Sequence, residues 1–231
     1  MPGEIQLLVR KLSGPPSPEA LATLTAGERA RAARFRFELH RHRYINRHYW
    51  WRRQLARCLQ CAVSDLDFEP GAHGKPQLRA KGRVPGYFNG SSSQDYALLG
   101  FDPTKDIGVD IECVRPFKDA AAFAARHFAA AERASIRAAG RSETLSRELF
   151  YRVWTRKEAF LKCTGPGLVD DLEQLHVGTR NSMRPFGYRE ASGVEHVCYL
   201  WTWLLQDPLR AISVASPQPL PGNLHPETVP E

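Results

Sequence analysis

YRVWTRKEAFLKCTGPGL, residues 151–168, sets Trp154, Lys157, Glu158 and Lys162 at spacings 0, 3, 4 and 8. Ser142 is an N-cap ahead of it, and Leu145, Leu149, Val153 and Trp154 recur at helical spacing. The segment therefore predicts the end of a long helix that stops at Gly165-Pro166-Gly167. On that helix the four named residues project to one side. A carboxylate between two lysines, anchored by a tryptophan, reads two ways. It is a solvated surface stripe, or it is half of a site whose other half lies elsewhere in the chain.

Upstream, residues 106–112 read DIGVDIE. Ile107, Val109 and Ile111 alternate with Gly108, Asp110 and Glu112, the period of a half-buried strand. Asp110 and Glu112 share a face, and paired carboxylates repel, so that face meets solvent or holds a cation. Gly108 opens room beside it. With Glu158 on the helix, three acidic groups stand on two elements. Such a set suits Mg²⁺, which takes oxygen ligands and keeps waters and phosphates in its shell. Lys75, Lys157, Lys162, the run Ser91-Ser92-Ser93 and an arginine-rich helix offer groups for a polyphosphate.

Further out, residues 4–12 predict a strand, and Ser17-Pro18 a helix start. Thr25 and Glu28 form a capping box. A longer helix is expected over residues 39–60, with a stripe of Tyr44, Trp51, Leu55 and Leu59, followed by a short strand at 63–68. Lys75 lies in a turn-rich stretch, with Pro76 after it, that lacks the order of a Walker loop. Asn89-Gly90-Ser91-Ser92-Ser93 is a hairpin tip or a cluster of donors for an anion, joined to a strand at 96–101. One helical stretch is expected over residues 119–139, and strands over 172–177, 194–205 and 211–214. From Ser216 the sequence is proline-rich and expected to be disordered.

With 231 residues, 42% hydrophobic and 25% charged, the chain can bury a sizeable core. No apolar run approaches the ~20 residues that span a bilayer. The start, MPGEIQLLVRKL, lacks a signal-peptide pattern. Five cysteines with a single C-x-x-C, Cys58 and Cys61, read as buried thiols rather than a zinc site, so a cytoplasmic location is expected. The net charge is +7. Between Glu28 and Arg57, ten arginines against two glutamates leave +8, so this segment carries the whole excess. It needs an anionic partner or is a solvated face.

Gly108-Val-Asp-Ile-Glu112 and, after 41 intervening residues, Trp154-x-x-Lys157-Glu158-Ala-x-x-Lys162 resemble the paired signature of the 4′-phosphopantetheinyl transferases. Gly74-Lys75-Pro76 and the Phe88-Asn89 to Ser93 segment match in order and spacing, and the resemblance spans residues 5–215. It is to the longer, monomeric, two-lobed type named for surfactin synthetase activation. It implies an α+β fold of two similar α/β lobes in pseudo-twofold arrangement, each a small, mainly antiparallel sheet packed with helices. Residues 1–104 would form an N-terminal lobe contributing to coenzyme A binding. Residues 105–215 would carry the metal site and catalytic helix, and 216–231 the tail.

The implied activity is transfer of 4′-phosphopantetheine from coenzyme A to a serine of an acyl or peptidyl carrier protein. The resemblance makes Asp110, Glu112 and Glu158 ligands of Mg²⁺, or of Mn²⁺ in its place, at the pyrophosphate of coenzyme A. Glu158 matches the base for the carrier serine, and Lys162 a cation at the pyrophosphate. Lys75, Ser91 and Ser92 fall where the family grips the 3′-phosphate and adjacent groups, with Arg31 and Arg43 as further phosphate contacts. An acidic carrier suits the basic surface. One departure stands out: Ser92 occupies a position where the family usually has histidine. A charge-assisted contact of about 1 kcal/mol or more is lost there unless a nearby arginine compensates. An active monomeric enzyme without nucleic-acid or membrane partners is expected. The competing readings are a degenerate homologue that binds coenzyme A or a carrier without transfer, and a nucleic-acid-binding protein using the arginine helix.

Overall fold

A computed structural model describes residues 4–71, 75–82, 86–165, 171–190 and 192–229. Gly74 of the turn before Pro76, and Pro166 and Gly167 after the long helix, lie outside the described residues. The first half runs β1 (Gln6–Lys11), α1 (Pro18–Thr23), α2 (Ala26–Ala33), α3 (Glu38–Leu59), β2 (Leu66–Pro70), β3 (Pro76–Ala80), β4 (Tyr87–Ser93) and β5 (Tyr96–Asp102). The second half runs β6 (Gly108–Cys113), α4 (Ala120–His127), α5 (Ala130–Ala138), α6 (Glu143–Thr164), β7 (Phe186–Arg189), β8 (Glu195–Leu205), β9 (Arg210–Ser216) and β10 (Glu227–Thr228). The strands form one sheet in the order β10-β1-β5-β4, a β2–β3 ribbon, and a second sheet in the order β6-β9-β8-β7. The fold is α+β, small antiparallel sheets packed against helices, consistent with two α/β lobes. No described helix is long and apolar enough to cross a membrane.

Local chemistry sets the helices. Ser17 Oγ accepts from Ala20 N, with Pro18 at the first position of α1. At α2, Thr25 Oγ1 accepts from Glu28 N and Glu28 returns the bond to Thr25 N, the box read from sequence. α3 has no Gly or Pro across its 22 residues and buries two stripes. Tyr44 and Ile45 pack with Ala20, Leu24 and Ala32 of the short helices. Trp50 and Leu55 pack on the first sheet with Leu8, Leu99 and Phe101. The fully buried Trp50 lies off the single stripe expected, because α3 is covered on two sides. α6, also 22 residues, backs the second sheet and ends at Gly165, whose φ of 87° suits a residue without Cβ.

The two sheets share an apolar layer. Leu7, Val9 and Leu98 of the first meet Ile107, Val109, Ile111, Ile212 and Val214 of the second end of the chain. β6 is thus covered on both faces, not half-buried as its alternation suggests: α6 closes over the face that carries Asp110. A Cβ on Gly108 would strike the Ala159 carbonyl and the Cys163 backbone, so only glycine lets helix and strand approach this closely.

Other expectations are corrected. The helix expected over 119–139 is two, because Phe128 turns extended and fully buried, and Glu132 Oε2 accepts from Ala129 N at 2.9 Å to start α5. Residues 172–177 form no strand. Leu172–Gln174 is a 3₁₀ turn, and the Leu172 and Leu175 carbonyls accept from Lys157 instead of from a neighbouring strand. Val63–Asp65 is likewise a 3₁₀ turn ahead of β2. The segment after Ser216, expected to be disordered, folds back over its described residues. β10 pairs parallel with β1, and Leu220, Leu224 and Val229 pack against the core.

Candidate active site

β6 and α6 bring the two sequence signatures together. Lys162 Nζ lies 2.6 Å from Asp110 Oδ1 and 3.9 Å from Glu158 Oε2. Glu158 and Lys162 are one turn apart on α6, so both reach the face of β6 from which Asp110 projects. β4 closes the third side. Ser91 Oγ donates to Asp110 Oδ1 at 2.7 Å, and Ser93 Oγ donates to Glu112 Oε2 at 2.6 Å. Asn89 Oδ1 accepts from Val109 N at 2.9 Å, which stitches β4 to β6. Asn89, Ser91 and Ser93 are therefore one face of a strand that runs into the two-residue turn of the β4–β5 hairpin.

The carboxylates are poorly solvated. Burial raises the Asp110 pKa, opposed by the Lys162 charge and by hydrogen bonds from Lys162 and Ser91. Burial, and then the Asp110 charge, raise that of Glu112 against the Ser93 bond. Burial and the Asp110 charge push Glu158 to about 7, against the pull of Lys162. Asp110 Oδ2 and Glu158 Oε1 are buried with no hydrogen-bond partner. Orphaned carboxylate oxygens of this kind are what a cation satisfies. Among the described residues no three His, Cys, Asp or Glu side chains are already clustered as a metal cage; the ammonium of Lys162 sits between the acids. The donor chemistry fits a hard divalent cation.

Other expected residues take different places. Lys75 Nζ donates to Asp106 Oδ1 at 2.8 Å and to the carbonyls of Ile107 and Cys163 at 3.4 Å, bracing the start of β6 against the end of α6. Lys157 does not share the side of Glu158. It is fully buried, 3.1 Å from Glu132 Oε2, and donates to the Leu172 and Leu175 carbonyls. Glu132 Oε1 in turn accepts from Val177 N and Gly178 N. Trp154 meets Phe123 of α4 edge-on at 4.8 Å, anchoring the helix. Ser92 projects away from the acids, where Arg47 Nη1 donates to its Oγ at 2.6 Å. Arg43 is paired with Asp95 at 2.7 Å. Cys58 and Cys61, expected to be buried, are half-buried, and Cys58 Sγ donates to Gln6 Oε1 at 3.3 Å.

Sequence reasoning grouped Asn89 and Ser93 with donors for an anion and missed that they hold β6 and Glu112; it did not single out Arg47. The period of two along β4 relates Asn89 and Ser93 to Ser91. Nothing in the sequence separates Arg47 from nine other arginines of that segment. A cavity of about 610 Å³ is lined by apolar Phe117, Ile136 and Phe150 and by the charged Arg115, Lys118, Arg137 and Glu143.

A family model described as the 4′-phosphopantetheinyl transferase superfamily matches residues 106–210. A Synechocystis sp. protein provisionally named for that transferase is 36% identical over 67% of this chain and 62% of its own length. The 4′-phosphopantetheinyl transferase HetI of Nostoc sp. is 36% identical over 68% of this chain and 65% of its own. The 4′-phosphopantetheinyl transferase Sfp of Bacillus subtilis is 28% identical over 73% and 72%. The matched region thus spans under two thirds of the first two relatives.

Proposed function

This chain belongs to the 4′-phosphopantetheinyl transferase superfamily, and from that premise we propose that it transfers 4′-phosphopantetheine from coenzyme A to a serine of an acyl or peptidyl carrier protein. The observation that carries the reading is the meeting of Asp110, Glu158 and Lys162 at the contact of β6 with α6. Asp110, Glu112 and Glu158 would hold Mg²⁺ or Mn²⁺, and the orphaned oxygens of Asp110 and Glu158 support that assignment. The metal, when bound, neutralises pyrophosphate oxygens and makes the phosphorus a better electrophile.

The chain's own groups then have defined tasks. The carrier serine Oγ forms a bond to the phosphorus on the pantetheine side, and the bond from that phosphorus to the bridging oxygen breaks. Glu158, with a pKa of about 7, takes the serine proton directly or through water. Lys162 offsets the charge on the departing 3′,5′-ADP. Ser91 and Ser93 hold Asp110 and Glu112 in place. The cavity lined by Phe117, Ile136 and Phe150, with more basic than acidic side chains about it, suits an acidic carrier surface with an apolar contact. We take the enzyme to act as a monomer.

Mass spectrometry of an apo carrier protein, incubated with the chain, coenzyme A and Mg²⁺, tests the reading. A gain of one phosphopantetheine group on the carrier is expected. Binding of coenzyme A with no gain across fatty-acid, polyketide and nonribosomal-peptide carriers would instead identify a homologue that has lost transfer.

A further inference from the structure

Three successive residues of α6, Thr155, Arg156 and Lys157, are fully buried, and Glu158 follows them. Lys157 is paired with Glu132. Among the described residues no carboxylate forms an ion pair with Arg156. Its Nε donates to Val177 O at 2.9 Å, and its Nη1 to Asn181 Oδ1 at 3.2 Å and to Thr202 Oγ1 at 3.3 Å. Its Nη2 is buried without a partner. A buried charge with no counter-ion is costly, so packing alone does not account for an arginine here.

From Thr202 the polar contacts continue through the core. Thr202 Oγ1 lies 2.9 Å from Ser213 Oγ, and Ser213 Oγ lies 2.8 Å from Thr155 Oγ1. Each hydroxyl has one hydrogen to give. Thr155 gives its own to the Arg152 carbonyl at 3.3 Å, so Ser213 donates to Thr155 and Thr202 donates to Ser213. Arg156 can only donate, and it starts the chain. The series Arg156, Thr202, Ser213, Thr155 therefore runs in one direction, from the guanidinium back to α6.

Strand register puts this chain beside the site. Ser213 of β9 is opposite Thr202 of β8 on one side and Asp110 of β6 on the other, so the three side chains form one row facing α6. Asp110 keeps its buried, unpartnered Oδ2 in that row. On the helix, Thr155, Glu158 and Lys162 follow at spacings of 3 and 4, one flank of α6. With Thr155 tied over β9, Glu158 and Lys162 come to lie over β6. Gly108 sets how closely helix and strand approach. The hydroxyl chain sets how the helix is rolled.

We propose that Thr155 and Ser213 are positioning residues for transfer: their hydrogen bond, directed by Arg156 through Thr202, fixes the roll of α6 and so the placing of Glu158 opposite Asp110. The proposal rests on the transferase reading above.

Thr155→Val keeps the shape and removes the hydroxyl, Thr155→Ser keeps the hydroxyl and removes a methyl, and Ser213→Ala removes the donor. Transfer to an apo carrier is measured well below each melting temperature, with kcat and the KM for coenzyme A determined separately. The kcat should fall about tenfold in Thr155→Val and in Ser213→Ala, with the KM for coenzyme A within about twofold of wild type. Thr155→Ser should keep kcat within about twofold although it melts lower. The double variant Thr155→Val/Ser213→Ala should lose no more than either single one, since both break the same hydrogen bond. Titration with Mn²⁺ alone, followed by electron paramagnetic resonance, should show several-fold weaker binding in Thr155→Val and Ser213→Ala but not in Thr155→Ser. Unchanged kcat in folded Thr155→Val and Ser213→Ala, with only the melting temperature lowered, would make the chain a structural clamp and overturn the proposal. Equal losses of kcat in Thr155→Ser and Thr155→Val overturn it too. If Thr155→Val fails to fold, Ser213→Ala decides by the same readings. A wild-type chain that binds Mn²⁺ with this pattern of variants yet transfers nothing leaves the positioning standing and removes the transferase reading. One that neither binds Mn²⁺ nor transfers sinks both.

Discussion

Asp110 and Glu158 each keep one buried oxygen without a partner while Lys162 occupies the space between them. A side chain that served stability alone would be satisfied; these two are held ready for something absent from the fold itself. On the proposed function, replacing Glu158 by Gln would remove the base and a metal ligand while keeping the shape. Transfer to a carrier protein should fall by about 10²–10⁴-fold. The melting temperature should hold or rise, because a neutral amide loses less on burial than a carboxylate raised to about 7. A mass-shift assay and a thermal melt on the same preparation check both halves. A variant that is inactive because it is unfolded would contradict this.

At the scale of elements, two charged clamps do different work. Glu28 ties α2 to α3 through Arg52 and His48. Burial works against its charge, but His48, the Thr25 N–H and Arg52 hold its pKa down to about 2, from 4.5. The folded value lies below the unfolded one, so the stabilisation is full above about pH 4.5 and is lost as pH falls toward 2. It amounts to about 2–3 kcal/mol. Urea unfolding at pH 6 and pH 3 should show that loss in the wild type, and a flatter profile in Glu28→Gln.

Lys157 is the second clamp, joining α6 to α5 and to the turn at Leu172. Removing one partner of a buried pair leaves the other uncompensated, so Lys157→Met should destabilise by about 3 kcal/mol. Denaturant titration measures this. An effect within about 0.5 kcal/mol, the ordinary range for surface substitutions, would mean the lysine is not buried as described.

Across the whole molecule, the sheets are joined by one apolar layer and by the returning C-terminal segment. Leu220 and Leu224 cover the second sheet, and Val229 N donates to Val9 O on the first at 2.8 Å. Truncation after residue 216 should therefore destabilise the protein by about 2–3 kcal/mol, from three partly buried side chains and a lost strand pair. A melting temperature unchanged by that truncation would restore the view of these residues as a loose tail.

Much of the fold was legible because local chemistry wrote it. The Thr25 capping box, the Ser142 N-cap, the apolar alternation of β6 and the glycine stop of α6 each act within a few residues. Asp110, Glu158 and Lys162, named from their spacing, do meet where β6 touches α6, whereas Lys75, Ser92 and Lys157 take other places. What only tertiary structure decided was direction. Lys157 and Glu158 are adjacent, yet one turns into the core and the other to the site, since Glu132 lies on the first side and Asp110 on the second. Ser91 and Ser92 part in the same way, and of ten arginines only the packing of α3 against β4 chooses Arg47. Sequence by itself fixes which groups are available. Contacts between residues far apart in the chain fix which of them face one another, and charge placement is decided there.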